Sequence, residues 1–262
     1  MDFNGKKILI SGGSSGIGRA IIAELYRRGA RQFAVIGRDP NKMATLKAEF
    51  PEGAFLLIPG DLAQSSTAKT SIDRIKQEWN SLDILINNAG VVSAGPLEAI
   101  SDEDILNMQN INVTGLILLT KHALPLLKQS SEAAIINVSS GLGLIGMAFY
   151  APYAATKAAV RQFSEALRRE LNGRAIHVMT VYPTATDTPM MKSANATGMD
   201  SPALVATRTI EGLANKDIEV IMGGERMLEN RKLNFEAPLQ LDERLKANFD
   251  AMAKRAAGHR AM

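Results

Sequence analysis

The stretch Ser11-Gly-Gly-Ser-Ser-Gly-Ile-Gly18 joins an apolar run, residues 7–11, to a helical run, residues 16–28. No other feature of the chain restricts its fold as much. A strand that becomes a helix within a few residues needs turns and close approaches that glycine tolerates best. Gly12 permits the sharp turn, Gly16 lets the backbone approach a bound group, and Gly18 lets the helix pack tightly on the turn. The amides at the start of that helix, with Ser14, Ser15 and Ile17 around them, form a site that favours an anion.

The same alternation runs on. Residues 33–36, 55–58, 83–86, 134–138, 177–181 and 218–222 read as short β-rich strands. Residues 41–50, 65–79, 102–128, 153–171 and 201–214 read as helices between them. The strands are near-continuous apolar runs, as expected when helices cover both faces of a sheet. Alternating strands and helices imply right-handed crossovers and an α/β fold. The expected architecture is a Rossmann-type, doubly wound parallel sheet of about seven strands. With no repeat and no convincing linker, residues 1–224 form one domain. Residues 225–262 are expected to extend it as a charged tail with a helix over 241–257 and a solvated face over 242–260.

A chain of 262 residues is long enough for one such core. It has no cysteine, so disulfides, thiolate nucleophiles and cysteine-held metals are excluded, in keeping with a reducing cytosol. The opening MDFNGKKILIS shows no signal-peptide pattern, and residues 116–127 are too short and too interrupted to span a membrane. The net charge is only +3, with basic and acidic residues intermixed, which argues against a nucleic-acid surface. These readings lead to an expected cytoplasmic location and a small-molecule partner, with no membrane or nucleic acid and no metal.

A glycine turn between a first strand and a first helix suits the pyrophosphate of a dinucleotide. An acid at the end of the second strand would hold a ribose 2′-hydroxyl and repel a 2′-phosphate. Here Gly37 takes that place and Arg38 follows, so a guanidinium is available for a phosphate and NADP(H) is favoured over NAD(H). Asp39 can pair with Arg38 or cap the next helix.

In Tyr150-Ala-Pro-Tyr-Ala-Ala-Thr-Lys157, Tyr153 and Lys157 are one helical turn apart. An ammonium beside a phenol favours the phenolate, so the pair suits acid/base work next to a bound dinucleotide. Ser140 follows the fifth strand, where its hydroxyl can bind a substrate oxygen. Ser139 points the other way and is structural. Pro152 suits a first helical turn, which leaves Tyr150 outside the helix as a pocket wall.

The glycine spacing, Asn87-Asn-Ala-Gly90 and the Tyr153/Lys157 pair together resemble the short-chain dehydrogenase/reductase family over residues 5–224. The resemblance implies that Asp61 and Leu62 contact an adenine and that Asn88, Ala89 and Gly90 flank a cofactor ribose. It implies that Pro183 and Thr188 surround a nicotinamide. It makes Asn112 part of a proton relay and puts Ser140, thirteen residues before Tyr153, in the substrate-binding role. Thr184 departs from the family's usual glycine. The resemblance also implies a homodimer or homotetramer.

The expected activity is NADP(H)-dependent hydride transfer between the nicotinamide and a ketone or secondary alcohol, with Tyr153 as general acid/base. Two other readings stay open: an enoyl reductase using Tyr150 with Lys157, and a dinucleotide-sensing protein without turnover. Residues 91–97, 142–150 and 184–200 should enclose the substrate. Met190, Met191 and Met199 either line an apolar pocket or merely pack a lid.

Overall fold

The computed structural model describes residues 1–194 and 196–262. In chain order, β1 (Lys7–Ser11) and α1 (Gly16–Arg27) are followed by β2 (Gln32–Gly37), α2 (Pro40–Glu49), β3 (Ala54–Pro59) and α3 (Ser65–Trp79). Next come β4 (Ile84–Asn87), β5 (Val92–Ser93), α4 (Asp102–Gln109), α5 (Leu116–Leu127), β6 (Ala133–Val138), α6 (Ala151–Glu170) and β7 (Ile176–Tyr182). The chain continues through α7 (Pro202–Asn215), β8 (Glu219–Ile221), α8 (Gly224–Glu236), α9 (Pro238–Lys246), α10 (Phe249–Ala256) and β9 (Arg260–Ala261).

Seven parallel strands lie in the order β3-β2-β1-β4-β6-β7-β8. This is the doubly wound Rossmann-type sheet. Side chains alternate across it, so each apolar strand feeds two cores. Ile8, Ile10, Val35, Ile86 and Val181 pack with Ile21, Leu25 and Ile210 from α1 and α7. Leu9, Ile36, Leu85, Ile135 and Val178 pack with Ile75, Leu119 and Leu167 from α3, α5 and α6.

Two expected helices are not continuous. The run 102–128 divides into α4 and α5, joined by a π-helical turn over Asn110–Gly115. The shift arises from contacts outside the helix. Buried Asn112 bonds the Val91 backbone in both directions, and a Cβ on Gly115 would lie only 2.7 Å from the Leu62 carbonyl. Such π-turns often mark functional sites.

The expected helix over 241–257 is instead α9 and α10, separated where the Asn248 amide closes on the Leu245 carbonyl at 2.9 Å. The tail is not simply a solvated face. Leu241, Ala256 and His259 are all buried, and Leu241 packs with Leu144, Ile145 and Tyr182 at the end of the sheet. β9 also pairs antiparallel with β5, an association across about 170 residues that two-residue strands do not signal.

Candidate active site

The strand order turns back at β1 and β4, and a crevice outside their carboxyl ends is where ligands enter such sheets. Register places the three relevant turns side by side: Ser11 lies opposite Asn87, and Asn87 opposite Asn137. A buried polar chain holds these ends together. Asn87 donates to Thr120 Oγ1 and Asn137 Oδ1, and Asn137 donates to Ser164 Oγ. Asn88 donates to the carbonyls of Ser11 and Gly12, bracing the glycine turn.

Gly16 has φ +51°, which disfavours a side chain, and its Cα faces Thr188 across the crevice. A Cβ on Gly18 would sit 2.4 Å from the Gly12 carbonyl oxygen, so only glycine lets α1 begin there. The α1 amides, Ser14, Ser15 and Ile17 therefore border an open cradle suited to a pyrophosphate. Gly18 lies behind that cradle rather than on its surface.

At the β2 end, the alternatives for Asp39 resolve. Its Oδ1 accepts from the amides of Asn41 and Lys42 at the start of α2. That capping holds the Asp39 carboxyl below its ordinary pKa, with the Lys42 amide bond the largest cause. Arg38 is exposed, borders the crevice, and forms no ion pair among the described residues. Asp61 accepts from the Ala63 amide at 2.9 Å, just ahead of α3. Asp61, Leu62, Asn88, Ala89 and Gly90 border the same space.

Ser140, Tyr153 and Lys157 converge on the far end of the crevice. Ser140 precedes a 3₁₀ turn over Gly141–Gly143, and its hydroxyl accepts from the Leu142 amide at 3.1 Å. Tyr150 is the N-cap residue of α6, Pro152 sits in its first turn, and Tyr153 and Lys157 follow on one face. Lys157 Nζ lies 5.7 Å from the Tyr153 ring centre and donates to the Val138 carbonyl at 3.1 Å. Ser139 instead bonds the Lys157 carbonyl at 2.7 Å. Behind these groups, a Cβ on Gly90 would lie 3.3 Å from Asn112 Oδ1 and 3.4 Å from Lys157 Nζ. Asn112 thus stands against the site without opening onto it, and donates to Thr156 Oγ1 at 3.1 Å.

Burial pushes the Tyr153 phenol up to about 12, against a smaller lowering from the neighbouring Ser140 hydroxyl. The expected lowering by Lys157 does not prevail in this arrangement. Burial also pulls Lys157 down to about 8. A depressed lysine pKa means that the unfolded chain binds more protons between about pH 8 and 10.5, so this residue's cost to folding is full below pH 8, fades as pH rises from 8 to 10.5 and is gone above that. Lys157→Met is expected to raise the melting temperature at pH 7 by a few degrees, with the gain fading in alkali. Calorimetry showing an equal gain at both pH values would assign the effect to packing instead.

The third enclosing segment is closed at its base. Thr184 donates to the Asp200 carboxylate, which accommodates the β-branched residue where the family has glycine. The Asp187 and Asp200 amides bond the Asp200 and Ala185 carbonyls. Met190 and Met191 border the crevice, whereas Met199 does not. Met190, Phe149 and Met252 all pack against the buried cluster around Tyr150, yet a cavity of about 950 Å³ remains beside Met190. Tyr150 is buried with its hydroxyl 2.9 Å from His259 Nδ1. His259 Nε2 meets the Met190 carbonyl at 3.1 Å. A carbonyl only accepts, so Nε2 carries the hydrogen and Nδ1 accepts from Tyr150. Arg260 forks onto Asp104 at 2.8 and 2.9 Å, and its amide donates to Ser193 Oγ at 3.1 Å.

Sequence reasoning missed this strap and the residues of α10 that border the cavity. Their signal is the helical spacing Asn248, Met252, Arg255, continued by His259.

Fold and site together define an oxidoreductase class with a dinucleotide crevice at the switch point of a doubly wound sheet and a Tyr/Lys pair on one helix at its end. The profile described as short chain dehydrogenase matches residues 6–198. The chain belongs to the short-chain dehydrogenase/reductase family and is an oxidoreductase of it. A 3-oxoacyl-(acyl-carrier-protein) reductase from Pseudomonas aeruginosa is 36% identical over 198 residues, covering 73% of this chain and 78% of that protein. A 3-dehydrosphinganine reductase from Danio rerio is 31% identical over 204 residues, or 75% of this chain; the chain spans 61% of that protein's length. A short chain dehydrogenase from Burkholderia cenocepacia solved with NADP has a TM-score of 0.75 at 27% identity, covering 86% of this chain and 98% of its own. One from Burkholderia phymatum solved with NAD has a TM-score of 0.82 at 22% identity, covering 92% and 96%, and shares the fold. Among the described residues, no helix is long and apolar enough to cross a membrane, and no cluster of three or more histidines or carboxylates could hold a metal.

Proposed function

We propose that this chain is an NADP(H)-dependent ketone reductase, or secondary-alcohol dehydrogenase in reverse, with Tyr153 as the general acid/base. The observation that carries the reading is the meeting of Ser140, Tyr153 and Lys157 in the crevice that the glycine turn opens. A bound nicotinamide supplies or accepts the hydride. Residues 225–262 complete the catalytic domain by closing the substrate end.

With a pKa near 12, Tyr153 is protonated at neutral pH, the state that donates a proton to a carbonyl oxygen as it becomes an alkoxide. Ser140, whose hydroxyl lies beside Tyr153 in the crevice, orients that oxygen next to the phenol. Lys157 is the cofactor-ribose contact and the nearby cation for the developing phenolate. Asn112, on the π-turn, positions the Val91 backbone and Thr156 behind Lys157 and supports proton return. Pro183 and Thr188 bound the nicotinamide end, and Asp61 and Leu62 the adenine end.

Arg38, exposed and without an ion pair among the described residues, favours a 2′-phosphate. The solved neighbours hold NADP in one case and NAD in another, so the preference rests on this residue. Tyr150 is disfavoured as proton donor because its hydroxyl is already engaged by His259. The names of the two relatives, each a reductase, support the reducing direction. The reading includes a cytoplasmic enzyme acting as a homodimer or homotetramer.

The test is nicotinamide absorbance over a panel of ketones and secondary alcohols with each cofactor. Turnover of at least one ketone with NADPH, faster than with NADH, is the expected result. Tight dinucleotide binding with no turnover across the panel would favour the sensing reading, and turnover confined to conjugated enones the enoyl reading.

A further inference from the structure

The substrate end of the cavity has a charge pattern that the proposed hydride transfer does not use. Asn248, just ahead of α10, and Met252 and Arg255 on it border the cavity, and His259 continues the row. Arg255 is half-buried, with its guanidinium carbon 5.8 Å from the Tyr150 ring centre. Its Nε is fully enclosed and has no hydrogen-bond partner. Among the described residues no carboxylate forms an ion pair with it, whereas Arg28, Arg231 and Arg260 each hold one.

The surrounding charges sharpen this. Among the described residues the carboxylates bordering the cavity are Asp39 and Asp61, both beyond the ends of β2 and β3. At the substrate end the charged groups are Lys157, Arg226 and Arg255, with His259 committed as a neutral ring between Tyr150 and Met190. The charge of Arg255 reaches the reacting group, since it favours the Tyr153 phenolate and opposes protonation of His259. A partly enclosed guanidinium without an anion is costly, and a ligand that brings one recovers that cost on binding.

We infer that Arg255 recognises an oxyanion, a carboxylate or phosphate, carried by the carbonyl substrate, so that the substrates are keto acids or keto phosphates rather than neutral ketones. The planar fork of arginine suits either group, and Met252 beside it suits an apolar spacer between the anion and the carbonyl. Recognition at this point would hold the carbonyl against Ser140 and Tyr153 from the opposite end of the molecule. The inference rests on the reading that a carbonyl substrate occupies this cavity.

The experiment compares keto acids of increasing length, their methyl esters and the matching keto phosphates as substrates of the wild type, Arg255→Gln and Arg255→Lys with NADPH. Charged hydrogen bonds of this kind are worth roughly tenfold or more in affinity. The wild type is expected to prefer the anion over its ester by about that factor, chiefly through KM. Arg255→Gln should erase the preference and Arg255→Lys restore part of it, while the Kd of NADPH stays the same. The acid and phosphate arms show which oxyanion the pocket takes. Equal use of acid, phosphate and ester by the wild type would overturn the inference. So would a loss in Arg255→Gln shared equally by ester and anion, or a parallel rise in the Kd of NADPH, which would make Arg255 structural or a cofactor ligand. Calorimetric binding of the same compounds to the NADP-loaded protein reads recognition without turnover. Arg255-dependent anion binding with no reduction of any ketone would sink the proposed reaction and leave the recognition standing; no anion binding would sink the recognition.

Discussion

Tyr153→Phe is expected to lower ketone reduction with NADPH about 10²–10⁴-fold, the usual share of a positioned general acid, while NADPH binding changes little. The substitution removes one hydroxyl and leaves the ring, which packs against the buried cluster of Val92, Tyr150 and Ala256. That hydroxyl shares the crevice with Ser140, and burial keeps it protonated at neutral pH. In the wild type, reduction should therefore hold through neutral pH. Alcohol oxidation needs the phenolate and should rise as pH rises. Tyr150→Phe provides the internal comparison. It breaks the bond to His259, loosening the strap and lid, and its cost should be smaller and weighted toward KM. If Tyr153→Phe kept wild-type turnover while Tyr150→Phe lost it, the assignment of the two tyrosines would be reversed.

The second large effect concerns the cofactor. Arg38→Leu combined with Gly37→Asp is expected to move the NADPH-to-NADH preference by on the order of 100-fold toward NADH, as charge-assisted bonds to a phosphate are lost and a repelling carboxylate is gained. The position accepts a side chain. A Cβ on Gly37 meets Met43 Sδ at 3.1 Å, and a flexible methionine can yield by a few tenths of an ångström. Asp39 should not substitute for the new acid, because the α2 amides already hold its carboxylate. Kd values measured by nicotinamide fluorescence decide the matter. A wild type that binds NADH as tightly as NADPH would remove the role given to Arg38.

Much of the site was legible because it is local. The cradle depends on which residues can follow a strand and start a helix, so the glycines and Ser15 announce it. The separation of Tyr150 from Tyr153 depends on Pro152 in the first turn of α6, a property of the dipeptide geometry. Ser140 and Tyr153 sit at strand and helix starts whose positions hydrophobic pattern gives well. The π-turn was not legible, because it follows from Asn112 bonding Val91, twenty-one residues away, and from Gly115 meeting Leu62. Asp39 left two alternatives open in sequence, since pairing with Arg38 and capping α2 use the same carboxylate; only the fold shows that the helix takes it.

Residues 225–262 divide the two kinds of information most sharply. Their charge reads as a solvated surface, and helical spacing alone does not say which face turns inward. In the folded chain Leu241 and Ala256 are buried, Arg260 binds Asp104, and His259 joins Tyr150 to Met190. Chain order and residue type alone were enough to establish the parallel sheet, the anion cradle and the Tyr/Lys pair, because each arises from short-range sterics and apolar periodicity. Tertiary structure alone decided that the tail borders the pocket, that Arg255 lines the cavity, and that burial keeps Tyr153 protonated. These depend on contacts between residues far apart in sequence and on the loss of solvent that such contacts impose, neither of which is written in any local stretch.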